Sequence, residues 1–154
     1  MKAAVQPWCE GSKGKVDAKL FALTPIIEEG ALGSWLLRAL PLDSTSGAAR
    51  LDVARTGPEV VFGSLFAAAS NGGAYSAGLG GAYGQRAAWT TMGGLVDAPV
   101  DAPVADLADL CAKCAFLTFR APGPWFHDVA WDLGSLALRH DGKSVAVLAA
   151  SDTE

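Results

Sequence analysis

Apolar and polar positions along this chain follow two rhythms, and the change from one to the other predicts the architecture. In ALGSWLLRAL (31–40), Leu32, Trp35, Leu36 and Ala39 recur at helical spacing and Pro41 ends the run. Thr56-Gly57-Pro58-Glu59 reads as a helix start, with Thr as cap and a proline and an acid in the first turn. That helix is expected to run through VVFGSLFAAAS and to stop at Asn71-Gly72. Further helices are predicted over 80–92 (GGAYGQRAAWTTM) and from Asp101 or Pro103 through ADLADLCAKC.

After Cys114 the rhythm is that of strands. AFLTFR, VAWDLGSLALR and SVAVLAA are strand-like, and His140-Asp141-Gly142-Lys143 separates the last two. Asp-Gly between apolar runs is a strong hairpin signal. ARLDVAR (49–55) alternates Leu51 and Val53 with Arg50 and Asp52, which fits an edge strand or a piece of helix. DSTSGA (43–48) is a turn-rich loop, and DAPVDAPVAD (97–106) is a linker with an internal doublet. The first fifteen or so residues lack periodicity, so order is expected from near Thr24-Pro25, read as a helix start. The pattern therefore predicts a mobile arm over 1–20 and a single α+β domain over 21–154. N-terminal helices pack on a C-terminal antiparallel sheet that closes with a terminal β-hairpin.

Composition sharpens this picture. At 154 residues the chain is one domain by length, and with 51% hydrophobic and 18% charged residues it can bury a real core. A net charge of −4 gives no footprint for a phosphate backbone, and Lys13, Lys15 and Lys19 read as a solvated cluster, so no nucleic-acid partner is expected. The three cysteines are too few and of the wrong parity for a disulfide framework. MKAAVQPWCEGSKGK has no apolar secretory segment, and the cytoplasm is the expected compartment. Between Glu59 and Arg86 no charge occurs, but Asn71, serines and Gly-Gly pairs dilute the hydropathy, so buried helices are expected rather than a membrane span.

Within that uncharged run, GGAYSAGLGGAYG (72–84) poses a choice between a ligand cradle and a backbone thinned for close packing. After Gly78-Leu79-Gly80 the third residue is Tyr83, not the glycine a dinucleotide fingerprint needs. Close packing is the expectation, with Tyr75 and Tyr83 filling the space the small residues leave. Gly142-Lys143-Ser144 resembles the end of a phosphate loop, but Ala137 stands where its first glycine belongs.

Two clusters carry candidate chemistry. Cys111 and Cys114 form a single C-x-x-C that could hold zinc with Cys9 and His127, although at helical spacing the pair also fits plain core packing. In PWFHDVAWD (124–132), an imidazole at His127 could act as acid or base if a carboxylate oriented it, either Asp128 or Asp132, or Asp152 through a bend. Read as a strand, this stretch puts Asp128 and Asp132 on the face opposite His127. The alternative there is a Trp-rich sheet edge with solvated His and Asp. AVLAASDTE closes the chain with a polar tail through Asp152 and Glu154.

The stretches NGGAY, GGAYG, AAW, WFHDVAWDLGSLALRHDG and AVLAASDTE together resemble an uncharacterised family of bacterial proteins from high-GC genomes, a domain of unknown function. The likeness covers residues 30–154, with Ser151 where a Thr is expected. It implies a bacterial, cytoplasmic protein and no assigned activity, cofactor or catalytic residue.

The expected function is a small module that associates with itself or with another protein, needing no cofactor and no membrane, with Trp8, Trp125 and Trp131 as interface anchors. The rival is a small-molecule enzyme or binder with a pocket between helices and sheet. In it His127, Asp128 and Asp132 would be catalytic, and Tyr75, Tyr83, Arg86 and Trp89 would line the pocket. A zinc-stapled domain on Cys111 and Cys114 is the third reading.

Overall fold

Lys15–Ala22 (β1), Asp52–Thr56 (β2), Ala115–Arg120 (β3), Asp132–Leu138 (β4) and Ser144–Ser151 (β5) form one antiparallel sheet in the computed structural model. Their order is β1-β5-β4-β3-β2. Residues 1–11 and 13–153 are described; Glu154, read above as part of a polar tail, lies outside them. The helices are Gln6–Gly11 (α1), Ser34–Ala39 (α2), Pro58–Asn71 (α3), Gly80–Val96 (α4) and Val104–Ala112 (α5). The class is α+β and the chain closes in the β4–β5 hairpin, as the Asp141-Gly142 signal predicts.

The sheet is buried on both faces, which explains why β4 and β5 read as continuous apolar runs. On one face Leu133, Ala137, Ala146, Leu148 and Ala150 pack under α3 and α4. On the other, Leu136, Leu138, Val145, Val147 and Ala149 pack under the segment containing α2, through Leu32, Leu36, Leu37 and Leu42. Trp35, expected on the buried face of α2, is half exposed. Burying a Leu or Val side chain is worth about 1.5–3 kcal/mol, so both layers contribute to one folding unit.

The sheet also takes two strands from the first half of the chain. ARLDVAR is the edge strand β2. The expected arm over 1–20 is corrected: Ala4, Val5 and Trp8 are buried, and β1 pairs with β5 from Lys15↔Ser151 to Ala22↔Ser144. KVDAKLFA alternates in strand fashion, a pattern hidden by its lysines. Thr24-Pro25 starts no helix; it is a cis peptide in an irregular stretch.

The glycine-rich run does permit close packing. A Cβ on Gly84 would lie 2.6 Å from Ser70 Oγ and 3.0 Å from its Cα, so α4 can approach α3 this closely only with glycine there. The tyrosines do not fill the space, however. Tyr75 and Tyr83 are 60% and 70% exposed. Arg139, buried at the end of β4, closes α4 by donating to the Leu95 and Gly94 carbonyls at 3.3 Å, which suits the negative end of a helix.

Candidate functional site

Helices α3 and α4 do not cover the whole sheet. Beside α3, the face of β2, β3 and β4 stays open as a groove of about 730 Å3. Strand register builds its floor: Ala54 pairs with Thr118, and Thr118 with Ser135, three small side chains in a row across the strands. The α3 wall is small as well, because Ser64, Ala67, Ala68 and Asn71 fall on one helical face. Trp131 also lines it, 39% exposed, and so does the buried Trp8, its indole N–H donating to the Ala68 carbonyl at 3.3 Å. Asp52 and Arg120 sit at the mouth; each has an exposed partner, Arg50 at 2.8 Å and Asp128 at 3.7 Å. The groove thus offers hydroxyls, an amide and an indole over small side chains, with Asp52, Arg120 and Asp132 also in its lining.

Next to it, the loop 121–131 and the ends of β1, β4 and β5 gather polar side chains. Lys15, Ser151 and Asp132 lie across three adjacent strands in register. Ser151 Oγ donates to Asp132 Oδ1 at 2.6 Å, and the Val129 N–H donates to Asp132 Oδ2 at 3.0 Å. Lys15 Nζ is 3.4 Å from His127 Nε2.

PWFHDVAWD is therefore not a strand up to Asp132 but a loop, with Asp128 at φ 60°. The alternation read for it does not apply. His127 is exposed and meets Lys15, Asp128 meets Arg120, and Asp132 serves Ser151 and the loop backbone. Among the described residues no hydrogen bond or ion pair joins His127 to either aspartate, so the structure does not assemble an acid–base pair.

The other expected site residues are also dispersed. Tyr75, Tyr83 and Arg86 are exposed, and Trp89 packs on Phe62 at a ring distance of 4.5 Å. None of the four lines the groove. Of the expected anchors, Trp8 is core, Trp125 is half-buried against Phe126, and Trp131 alone is both exposed and in the groove. Cys111 and Cys114 are buried, and burial, then the neighbouring Cys114, pushes the Cys111 thiol up to about 11. Among the described residues no three His, Cys, Asp or Glu side chains gather as a metal site.

The glycine loop does cradle a carboxylate, but one of the chain's own. Asp152, fully buried just past β5, accepts the Ala74 N–H at 2.8 Å, and a Cβ on Gly73 would overlap its Oδ2. Residue spacing gives no hint of this pairing across 78 positions.

The fold and groove define a small α+β domain with an open cleft at one flank of its sheet. The chain belongs to the family described as "Family of unknown function (DUF6183)", whose profile matches residues 1–154. No curated protein and no solved structure matches it. No helix among the described residues is long and apolar enough to cross a membrane.

Proposed function

We propose that this chain is a binding module that holds a small organic ligand in the groove between α3 and β2–β4. The groove itself carries the reading: about 730 Å3 lies within the ~300–1,000 Å3 typical of ligand sites. Its lining favours a ligand with one apolar face, to lie against Trp131 and the alanines, and hydrogen-bonding groups for Ser64, Asn71 and Thr118. Binding rather than catalysis is the supported activity, because His127 lies outside the lining and without an orienting carboxylate. The unpaired cysteines support a reducing compartment, and the bacterial cytoplasm is the setting we propose.

The test is a fragment screen read by amide NMR shifts, repeated on Ala67→Trp, whose indole fills the groove from an exposed position. Hits that shift Ala54, Thr118 and Ser135 and vanish in Ala67→Trp support the reading. Hits elsewhere, or hits indifferent to Ala67→Trp, refute it.

A second reading, self-association, rests on the outer face of the helical layer. Phe62 stacks on Phe66 at 6.4 Å and packs on Trp89, with Phe66 and Val60 exposed. Along α3 and α4 only Glu59 and Arg86 are charged, so this face resembles an interface core more than a solvated surface. Loss of the wild-type sedimentation behaviour in Phe66→Glu would support a role in self-association; unchanged behaviour removes it.

A further inference from the structure

The two edges of the sheet are finished differently. On β1, Asp17 points inward and is buried, and Lys19 binds the Pro41 carbonyl and Asp43 Oδ2, both at 2.9 Å. Inward charge and lysines are what natural edges use to refuse another strand. β2 has neither lysine nor proline. Among the described residues its backbone meets only β3, so its outer N–H and carbonyl groups have no protein partner. Its one cation, Arg55, is turned away onto the Glu29, Gly30 and Leu32 carbonyls at 2.6–2.9 Å.

We propose that β2 pairs antiparallel with β2 of a second copy about a two-fold axis at Ala54, joining the two sheets into one. The register is self-complementary. Asp52 falls opposite Thr56 of the other copy and Val53 opposite Arg55, so no like charges are opposed, and small, exposed Ala54 meets its own equivalent. The pairing satisfies the outer backbone groups at little cost in side-chain ordering. It also acts on the groove, which has a single helix wall. Across the axis the two grooves share one floor, with an α3 at either side. That shared site rests on the binding reading above, whereas the dimer rests on the strand edge alone.

The experiment is sedimentation of the wild type, Ala54→Asp, Ala54→Lys and a mixture of the two variants. Circular dichroism confirms that each variant folds, as expected for an exposed position. The expected result is a wild-type dimer, monomeric single variants with dimerisation weakened at least tenfold, and a heterodimer in the mixture, where opposite charges meet on the axis. A wild-type monomer at every concentration overturns the proposal, and so does a dimer that both variants leave intact. Should a variant fail to fold, hydrogen exchange on the wild type decides. Protection of the outward β2 amides that rises with protein concentration supports the pairing; fast exchange at all concentrations overturns it. Fragment shifts at Ala67 that persist in the wild type diluted below its dimerisation range would keep the groove while the dimer stands or falls separately.

Discussion

The flank of the sheet at β1 and the flank at β2 use the same materials to opposite ends. At the β1 flank, polar groups are mostly turned inward and paired, although Ser44 Oγ is buried there without a hydrogen-bond partner among the described residues. Asp17 Oδ2 accepts the Ser44 N–H at 2.9 Å and its other oxygen lies 3.3 Å from Lys19 Nζ. The hydrogen bond with Asp43, reinforced by Asp17, holds the Lys19 ammonium above its ordinary range. Nearby, Asp152 is sealed beneath the glycine loop. At the β2 flank the hydroxyls of Ser64 and Thr118, the Asn71 amide and a row of backbone groups stay within reach of solvent or ligand. Buried polar groups left unpaired cost about 1–3 kcal/mol each, so a fold pairs most of them with its own groups where it closes. Where it leaves them open, beside a concave surface, binding is the natural use.

Substitutions should break this contrast in a definite order. The largest loss is expected at the sealed end. Asp152→Ala strands the part-buried Ala74 N–H, and Gly73→Ala drives a methyl into the same carboxylate. Each should cost about 2–4 kcal/mol in urea denaturation. If both are near neutral, the loop does not depend on the carboxylate.

An intermediate effect is expected from pH. Burial in the folded chain favours the neutral Cys111 thiol, raised to about 11, whereas the unfolded thiol titrates at its ordinary value of 9.0. The unfolded chain therefore loses its proton first, and stability is present below pH 9 and falls as pH rises toward 11. The loss is at most about 3 kcal/mol by linkage, and Cys111→Ala should flatten this part of a stability–pH curve. A wild-type profile that persists in the variant would assign the slope to other groups.

The smallest effect on stability, and the sharpest on function, belongs to the open flank. Asn71→Ala and Ser64→Ala remove groups that no buried network needs, so denaturation midpoints should move by less than about 0.5 kcal/mol. Fragment affinity in the groove should nonetheless fall several-fold. A large stability loss with unchanged affinity would make these residues structural and merge the two flanks into one kind of surface.

Local pattern was legible where local physics decides. The helix beginning near Thr56 and stopping at Asn71-Gly72, the strand AFLTFR and the Asp141-Gly142 hairpin all stand close to where the sequence puts them. So does the edge-strand option for ARLDVAR. KVDAKLFA could have been read too, since Val16, Ala18 and Leu20 alternate with Lys15, Asp17 and Lys19. Pro124–Asp132 looks like a strand in sequence because its aromatic residues and Val129 imitate one, while Pro122↔Phe126 pairing and the positive φ of Asp128 turn the chain into a loop.

By itself, then, the sequence determined that this is an α+β domain with a terminal hairpin, because periodicity and turn chemistry act over a few residues. Tertiary structure alone decided what those elements jointly make. Ala54, Thr118 and Ser135 become one floor only through strand register, Ala67 becomes its wall only through the packing of α3, and Gly73 becomes necessary only when Asp152 arrives beneath it. Such meetings are set by how layers bury their apolar faces together, a balance summed over the whole chain that no short stretch records.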